Sequence, residues 1–272
     1  MADLYRPLKE GYEFNGKEFI SDGWKMFKSE FWSFAGVTLL YVAVLVALGS
    51  IPYLKHSIGY VQYLLFGGYT VYCRNLLTGT HKMIDFLGGF RNYIQLAFFV
   101  LTIGLFTYPL FFSLFSIIMP YNEVFNMFMD DKSMEMFELA ITNNSFFEIL
   151  LFLFYFTFHI WMAVSYSFVL PLIVDAKMGF WQAMELSRKV VAKRFFTFVG
   201  FTFFILIAIV VFVIITLITG VLVALPVYSC IWFVMYLDIF GLKGSGILDQ
   251  FESFGKPIVD INTESQENKL ND

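Results

Sequence analysis

Charge is scarce in this chain. Asp, Glu, Lys and Arg together make up 15% of its 272 residues, against 58% apolar residues and 21% aromatic ones. A water-soluble domain cannot hide that much apolar surface, and uncharged apolar runs of about 18 or more residues point to membrane spans. The mean hydropathy of +0.70 agrees. A concentrated basic face is also missing: the net charge is −4, which argues against nucleic acid as a partner. There are only two cysteines, Cys73 and Cys230, both inside apolar segments. That is too few for a disulfide framework or a thiolate metal motif, and they read as small packing residues. His56, His81 and His159 fall at different expected membrane depths, and no HExxH, GxSxG, Walker A or GxGxxG pattern is present. The sequence therefore predicts no enzyme, no metal and no cofactor. Its first stretch, "MADLYRPLKEGYEFNGKEF", lacks the features of a signal peptide, so the first apolar segment is expected to be retained as an anchor.

Long apolar runs are abundant. Six spans are expected at about 31–52, 57–76, 95–119, 146–172, 195–219 and 221–240, each long enough to cross ~30 Å of hydrocarbon. The second is the least apolar, with Gln62, Gly67 and Gly68, and Pro226 lies inside the last. With these boundaries, sixteen of the eighteen lysines and arginines fall in alternate connections on one side. The positive-inside rule then places both termini in the cytoplasm. The 120–145 loop would face outward. Its acids, among them Asp130, Asp131 and Glu135, read as the solvated face of one or two short surface helices rather than a cation site. Residues 242–272 read as a disordered cytoplasmic tail following a membrane domain at 1–241.

One stretch concentrates the charge: "GFWQAMELSRKVVAKRFFTF", residues 179–198. Placing Gly36 over Gly200 aligns "GWKMFKSEFWSFAGVT" (23–38) with "SRKVVAKRFFTFVGFT" (187–202), and "MIDFLGGFRNYIQLAFF" (83–99) is a looser third copy. Each copy leads into a span. The expected fold is thus an all-α integral membrane protein with six transmembrane helices, built from repeated units of a cytoplasmic amphipathic helix plus a transmembrane hairpin. In the last copy Gln182, Glu185, Lys189 and Lys193 form one polar stripe, with Ala183, Met184, Val190 and Val191 opposite. In the first, Ile20, Trp24, Phe27 and Phe31 form the apolar stripe. Such helices suit the membrane interface, which makes membrane lipids the expected partners, with membrane proteins as further ones.

Residues 15–241 resemble a broad set of bacterial six-span membrane protein families of unknown function, related to the membrane domain attached to some glycerophosphodiester phosphodiesterases. The resemblance is carried by Gly23 and Trp24, Gly67 and Gly68, Pro171, Gly179, Ala183, Ser187, Pro226, Tyr236 and Asp238. It implies a six-helix fold in the bacterial cytoplasmic (inner) membrane, without an activity. No phosphodiesterase motif accompanies it. An enzyme resembling the carotenoid oxygenases would need four iron-binding histidines, and the chain has three.

The functional expectation is a non-catalytic scaffold, assembly or lipid-organising protein. The alternative is a small transporter or channel, for which Gly67, Gly68 and Pro226 would serve as helix breaks near a pathway. Trp24 and Trp181 are candidate lipid-interface residues. Arg74 or Arg188 is expected to pair with Asp175 or Asp238 and clamp helix ends together, and the sequence leaves open whether Arg188 and Ser187 also touch a neighbouring helix, a lipid headgroup or a partner. His159, mid-span, is expected to make an interhelical hydrogen bond.

Overall fold

A computed structural model describes residues 4–51, 53, 57–118, 146–216 and 219–243. The acidic loop expected at 120–145 and the tail beyond 243 lie outside the described residues. The elements are α1 (Arg6–Lys9), α2 (Gly16–Ser29), α3 (Phe31–Gly49), α4 (Ile58–Leu77), a 3-10 helix (Met83–Asn92), α5 (Tyr93–Ile118), α6 (Phe146–Ser165), α7 (Val169–Val174), α8 (Phe180–Ala192), α9 (Phe195–Thr216) and α10 (Thr219–Ile239). No strand occurs among the described residues. Among the described residues, five stretches are long and apolar enough to cross a membrane: Phe31–Gly49, Met83–Phe106, Leu153–Val174, Phe195–Thr216 and Gly220–Ile239. α4 is also 20 residues long. It is less apolar because it carries tyrosines that pack inward, among them buried Tyr69 and Tyr72, and Arg74, which bonds Asp175. The protein is an all-α membrane protein.

Two expectations about helix breaks are corrected. α4 runs unbroken through Gly67 and Gly68, and α10 runs unbroken through Pro226. The break falls instead in the fourth span, which is not one helix over 146–172: α6 ends at Ser165 and α7 starts at Val169.

The chain consists of three units, each a short helix followed by a hairpin: α2–α3–α4, then the 3-10 helix–α5–α6/α7, then α8–α9–α10. In the first and third, the paired helix starts (Gly16 with Phe180, Phe31 with Phe195) keep the register that sets Gly36 over Gly200. Burial repeats with it. Phe34 and Phe198 are fully buried, whereas Trp32 and Phe196 are 83% and 87% exposed.

Each short helix packs on the closing helix of the preceding unit. The 3-10 helix lies on α4, α8 lies on α6 and α7, and α2 lies on α10, so the three units close into a ring. Small residues allow the close approach. A Cβ on Gly68 would lie 1.7 Å from the Phe86 carbonyl oxygen, one on Gly89 2.0 Å from the Leu64 carbonyl oxygen, and one on Gly23 2.8 Å from the Ile231 backbone nitrogen. α2 is therefore not a helix lying wholly in the headgroup layer. It buries Phe19, Asp22, Gly23, Met26 and Phe27 in the bundle and leaves Trp24 exposed. A membrane interface and a protein groove demand the same amphipathic pattern, and only the neighbouring helix distinguishes them.

The contact between the first and last units is tied at three places. Lys243 Nζ donates to Glu18 Oε1 at 3.0 Å and Asp22 Oδ2 at 3.1 Å, with Asp238 Oδ1 at 3.7 Å. Burial works against the Lys243 charge, but these carboxylates outweigh it and raise its pKa above the ordinary lysine value. Tyr12 Oη donates to the Val190 carbonyl at 2.8 Å, at the end of α8. Phe14 wedges edge-on against Phe19, Phe198 and Phe201. Cys73 and Cys230, both free and buried, touch across α4 and α10 with sulfurs 4.0 Å apart, as packing residues would.

Candidate functional site

The three units meet at one polar cluster. Arg74 comes from the last turn of α4, Asp175 follows α7, and Tyr236 lies near the end of α10. Arg74 Nε donates to Asp175 Oδ1 at 2.7 Å, a second guanidinium N–H donates to Oδ2, and Tyr236 Oη donates to Oδ2 at 3.0 Å. The guanidinium also lies over the Phe233 ring, 5.5 Å from its centroid. A fork-on-fork pair of this kind fixes orientation as well as charge. Of the pairings expected from the sequence, Arg74 with Asp175 is the one that forms. Arg188 reaches neither Asp175 nor Asp238 and instead bonds Glu185 within its own helix at 3.0 Å. Lys189 joins the same carboxylate, and the two cations hold the Glu185 pKa below the usual carboxylate value. Asp238 belongs to the Lys243 cluster.

Ser187 has a structural task that the sequence left open. It is fully buried. Its hydroxyl donates to the Ser165 carbonyl at 2.8 Å and accepts the Phe168 N–H at 3.2 Å, spanning the gap between α6 and α7. Trp232 Nε1 donates to the Ser167 carbonyl at 3.1 Å. Together these side chains satisfy backbone groups that the broken helix releases, which an apolar interior otherwise penalises. Gln95 does the same at the start of α8, where its Oε1 accepts the Phe180 N–H at 2.9 Å. Ser187→Ala is expected to cost about 2 kcal/mol, because it leaves a buried donor and a buried acceptor unmatched. Thr102→Val, which removes only a bond to its own helix at Phe98, should cost far less. Melting temperatures in one detergent compare the two.

Beside the break lies a cavity of about 430 Å³, lined by α4, α5, α6, α7, α9 and α10 and so by all three units. Its polar lining includes Gln62, Thr70, His159, Ser167, Thr202 and Ser229. These residues lie singly or in pairs on α4, α6, α9, α10 and the α6–α7 break, so no single span stands out as polar in the sequence. His159 lines the cavity and packs at 5.1 Å against Tyr155. Among the described residues it makes no interhelical hydrogen bond of the kind expected. Trp24 and Trp181 are both exposed, on α2 and α8. Among the described residues no three His, Cys, Asp or Glu side chains gather to hold a metal ion.

Comparison with protein-family models, curated proteins and solved structures gives no match.

Proposed function

We propose that the protein is a non-catalytic scaffold that organises lipid around itself in a bacterial cytoplasmic membrane, with α4 as the sixth span and both termini on the cytoplasmic side. The observation that carries this reading is the repeated outward ring at each hairpin entrance, Trp32 and Phe196, with exposed Trp24 and Trp181 on the short helices beside them. Lys28, Lys189 and Arg194, on the same helices or at their ends, are exposed too. Rings at that level suit the acyl boundary, and each cation near an anionic surface contributes about 1 kcal/mol. The likeness to bacterial six-span families belongs to the same proposal. It gains support from Ala183 and Ser187, which are the buried small residues of α8.

Lipid retained by the protein in nanodiscs of equal phosphatidylethanolamine and phosphatidylglycerol, read by mass spectrometry, tests the proposal. Phosphatidylglycerol should be enriched over the bulk mixture, and replacing Lys28, Lys189 and Arg194 by Gln should remove the enrichment. A lipid shell of bulk composition around the unmodified protein would sink the reading. The second reading, a small transporter, is favoured by the broken α6–α7 segment beside the cavity, because irregular backbone at membrane depth is tolerated where it is buried or lines a cavity. Solute flux into liposomes that a cavity-filling substitution abolishes would favour it.

A further inference from the structure

The central cavity has a chemistry of its own. Among the described residues that line it, none is Asp, Glu, Lys or Arg. Its walls are largely rings: Tyr63 lies edge-on to Phe99 at 5.6 Å, and Tyr228 stacks on Trp232 at 5.1 Å. Among these rings sit uncharged hydrogen-bonding groups. The hydroxyls of Ser167 and Thr202 are buried and have no partner among the described residues. A donor left unmatched in an apolar interior is costly, and a ligand oxygen would match it. Its volume of about 430 Å³ lies within the range of about 300–1,000 Å³ usual for small-molecule sites.

We propose that this cavity is a binding site for a neutral amphiphile: an uncharged lipid whose ester or quinone carbonyl accepts from Ser167 and Thr202 while its apolar part lies against the Tyr63, Phe99 and Trp232 rings. The inference rests on the lipid-organising reading and deepens it, since it adds a selected neutral guest to an anionic lipid shell. A phosphate headgroup does not suit the site. Its charge would be desolvated against uncharged groups with no cation to offset it. Apolar contact and a few hydrogen bonds are sufficient for a neutral head, and the exposed lining residues Gln62, His159 and Ala163 leave the site unsealed.

Trp232 provides the readout. The full chain carrying Trp24→Phe, Trp32→Phe, Trp161→Phe and Trp181→Phe keeps Trp232 as its single tryptophan. In nanodiscs it is titrated with dibrominated diacylglycerol, with a benzoquinone bearing an isoprenoid chain, or with dibrominated phosphatidylglycerol. The neutral probes should quench with saturation, at about tenfold lower mole fraction than the anionic one, and whichever neutral probe saturates first identifies the head chemistry. Ser167→Ala with Thr202→Val should raise the half-saturating fraction about tenfold, the loss of one to two hydrogen bonds. Ala163→Phe, which fills the cavity, should abolish saturation. Thr70→Leu serves as a second filling variant should Ala163→Phe fail to melt cooperatively. Unsaturable quenching that is equal for all three probes, or saturation by phosphatidylglycerol first, overturns the site. The lipid-organising reading is judged separately, by the composition of the retained shell.

Discussion

Adding one methyl group at Gly68 is expected to destabilise the protein by about 3 kcal/mol or more, at the upper end of what overpacking costs. The new Cβ would lie 1.7 Å from the Phe86 carbonyl oxygen and 2.7 Å from its carbon. Both are backbone atoms of the 3-10 helix, so no side chain can rotate out of the way. That helix cannot retreat alone either, because Gly89 meets the Leu64 carbonyl and Gly88 meets Val71 on the same face of α4. Gly67→Ala is the internal control. Its Cβ would lie 3.2 Å from Val174 Cγ2 and 3.3 Å from Gly89 Cα, a tight contact but not the overlap met at Gly68, so the loss should be smaller. Gly200→Ala, with nothing within 4 Å, should be neutral or stabilising by up to about 1 kcal/mol, the helix preference of alanine over glycine. Thermal melts of the four proteins in one detergent give the order. Equal melting of Gly68→Ala and Gly200→Ala would refute the interlocked contact.

The second large effect is expected at the junction of the three units. Asp175→Asn keeps the shape of the side chain but leaves the Arg74 guanidinium without its counter-charge. Removing one partner of a buried pair costs about 3–5 kcal/mol. The Arg74 side chain remains 25% exposed, so about 3 kcal/mol is expected here, after allowing for screening. Tyr236→Phe, which removes one hydrogen bond to the same carboxylate, should cost about 1 kcal/mol. The double replacement Arg74→Met with Asp175→Leu should be less damaging than Asp175→Asn alone, because no buried charge is then left over. A double-mutant cycle using Arg74→Met and Asp175→Leu should give a coupling above about 1 kcal/mol, and additive losses would mean the pair does not act as a unit.

The long helices were largely legible in the sequence. Apolar length set the start of each of the six to within two residues, and the end of each to within three except the fourth, where the run expected to reach 172 stops at Ser165. The Gly36–Gly200 alignment set the register of the first and third units. The break at 166–168 was not legible, because the apolar run continues through it and Ser187, which bridges it, lies on another helix. Gly67 and Gly68 stood out, but a glycine pair marks a hinge and a close contact equally well. Only the opposing Gly88 and Gly89 decide for contact. Arg74, Asp175 and Asp238 were recognised as clamp residues, but the choice of partner depends on how three units converge. Lys243 falls in the stretch that reads as tail, yet together with Lys25 it compensates buried Asp22. The cavity escaped because its hydroxyls are spread over α4, α9, α10 and the α6–α7 break.

The ring closure also bears on biogenesis. α2 is made before every long helix, yet its partner α10 is the last described helix to be made. At a synthesis rate of about 5–20 residues per second, the Gly23 face of α2 waits roughly 10–40 s for Ile231 to arrive. Throughout that interval a glycine-notched, amphipathic helix with Asp22 at its centre stands uncovered beside the membrane. A chain halted after α9 would keep that face open permanently.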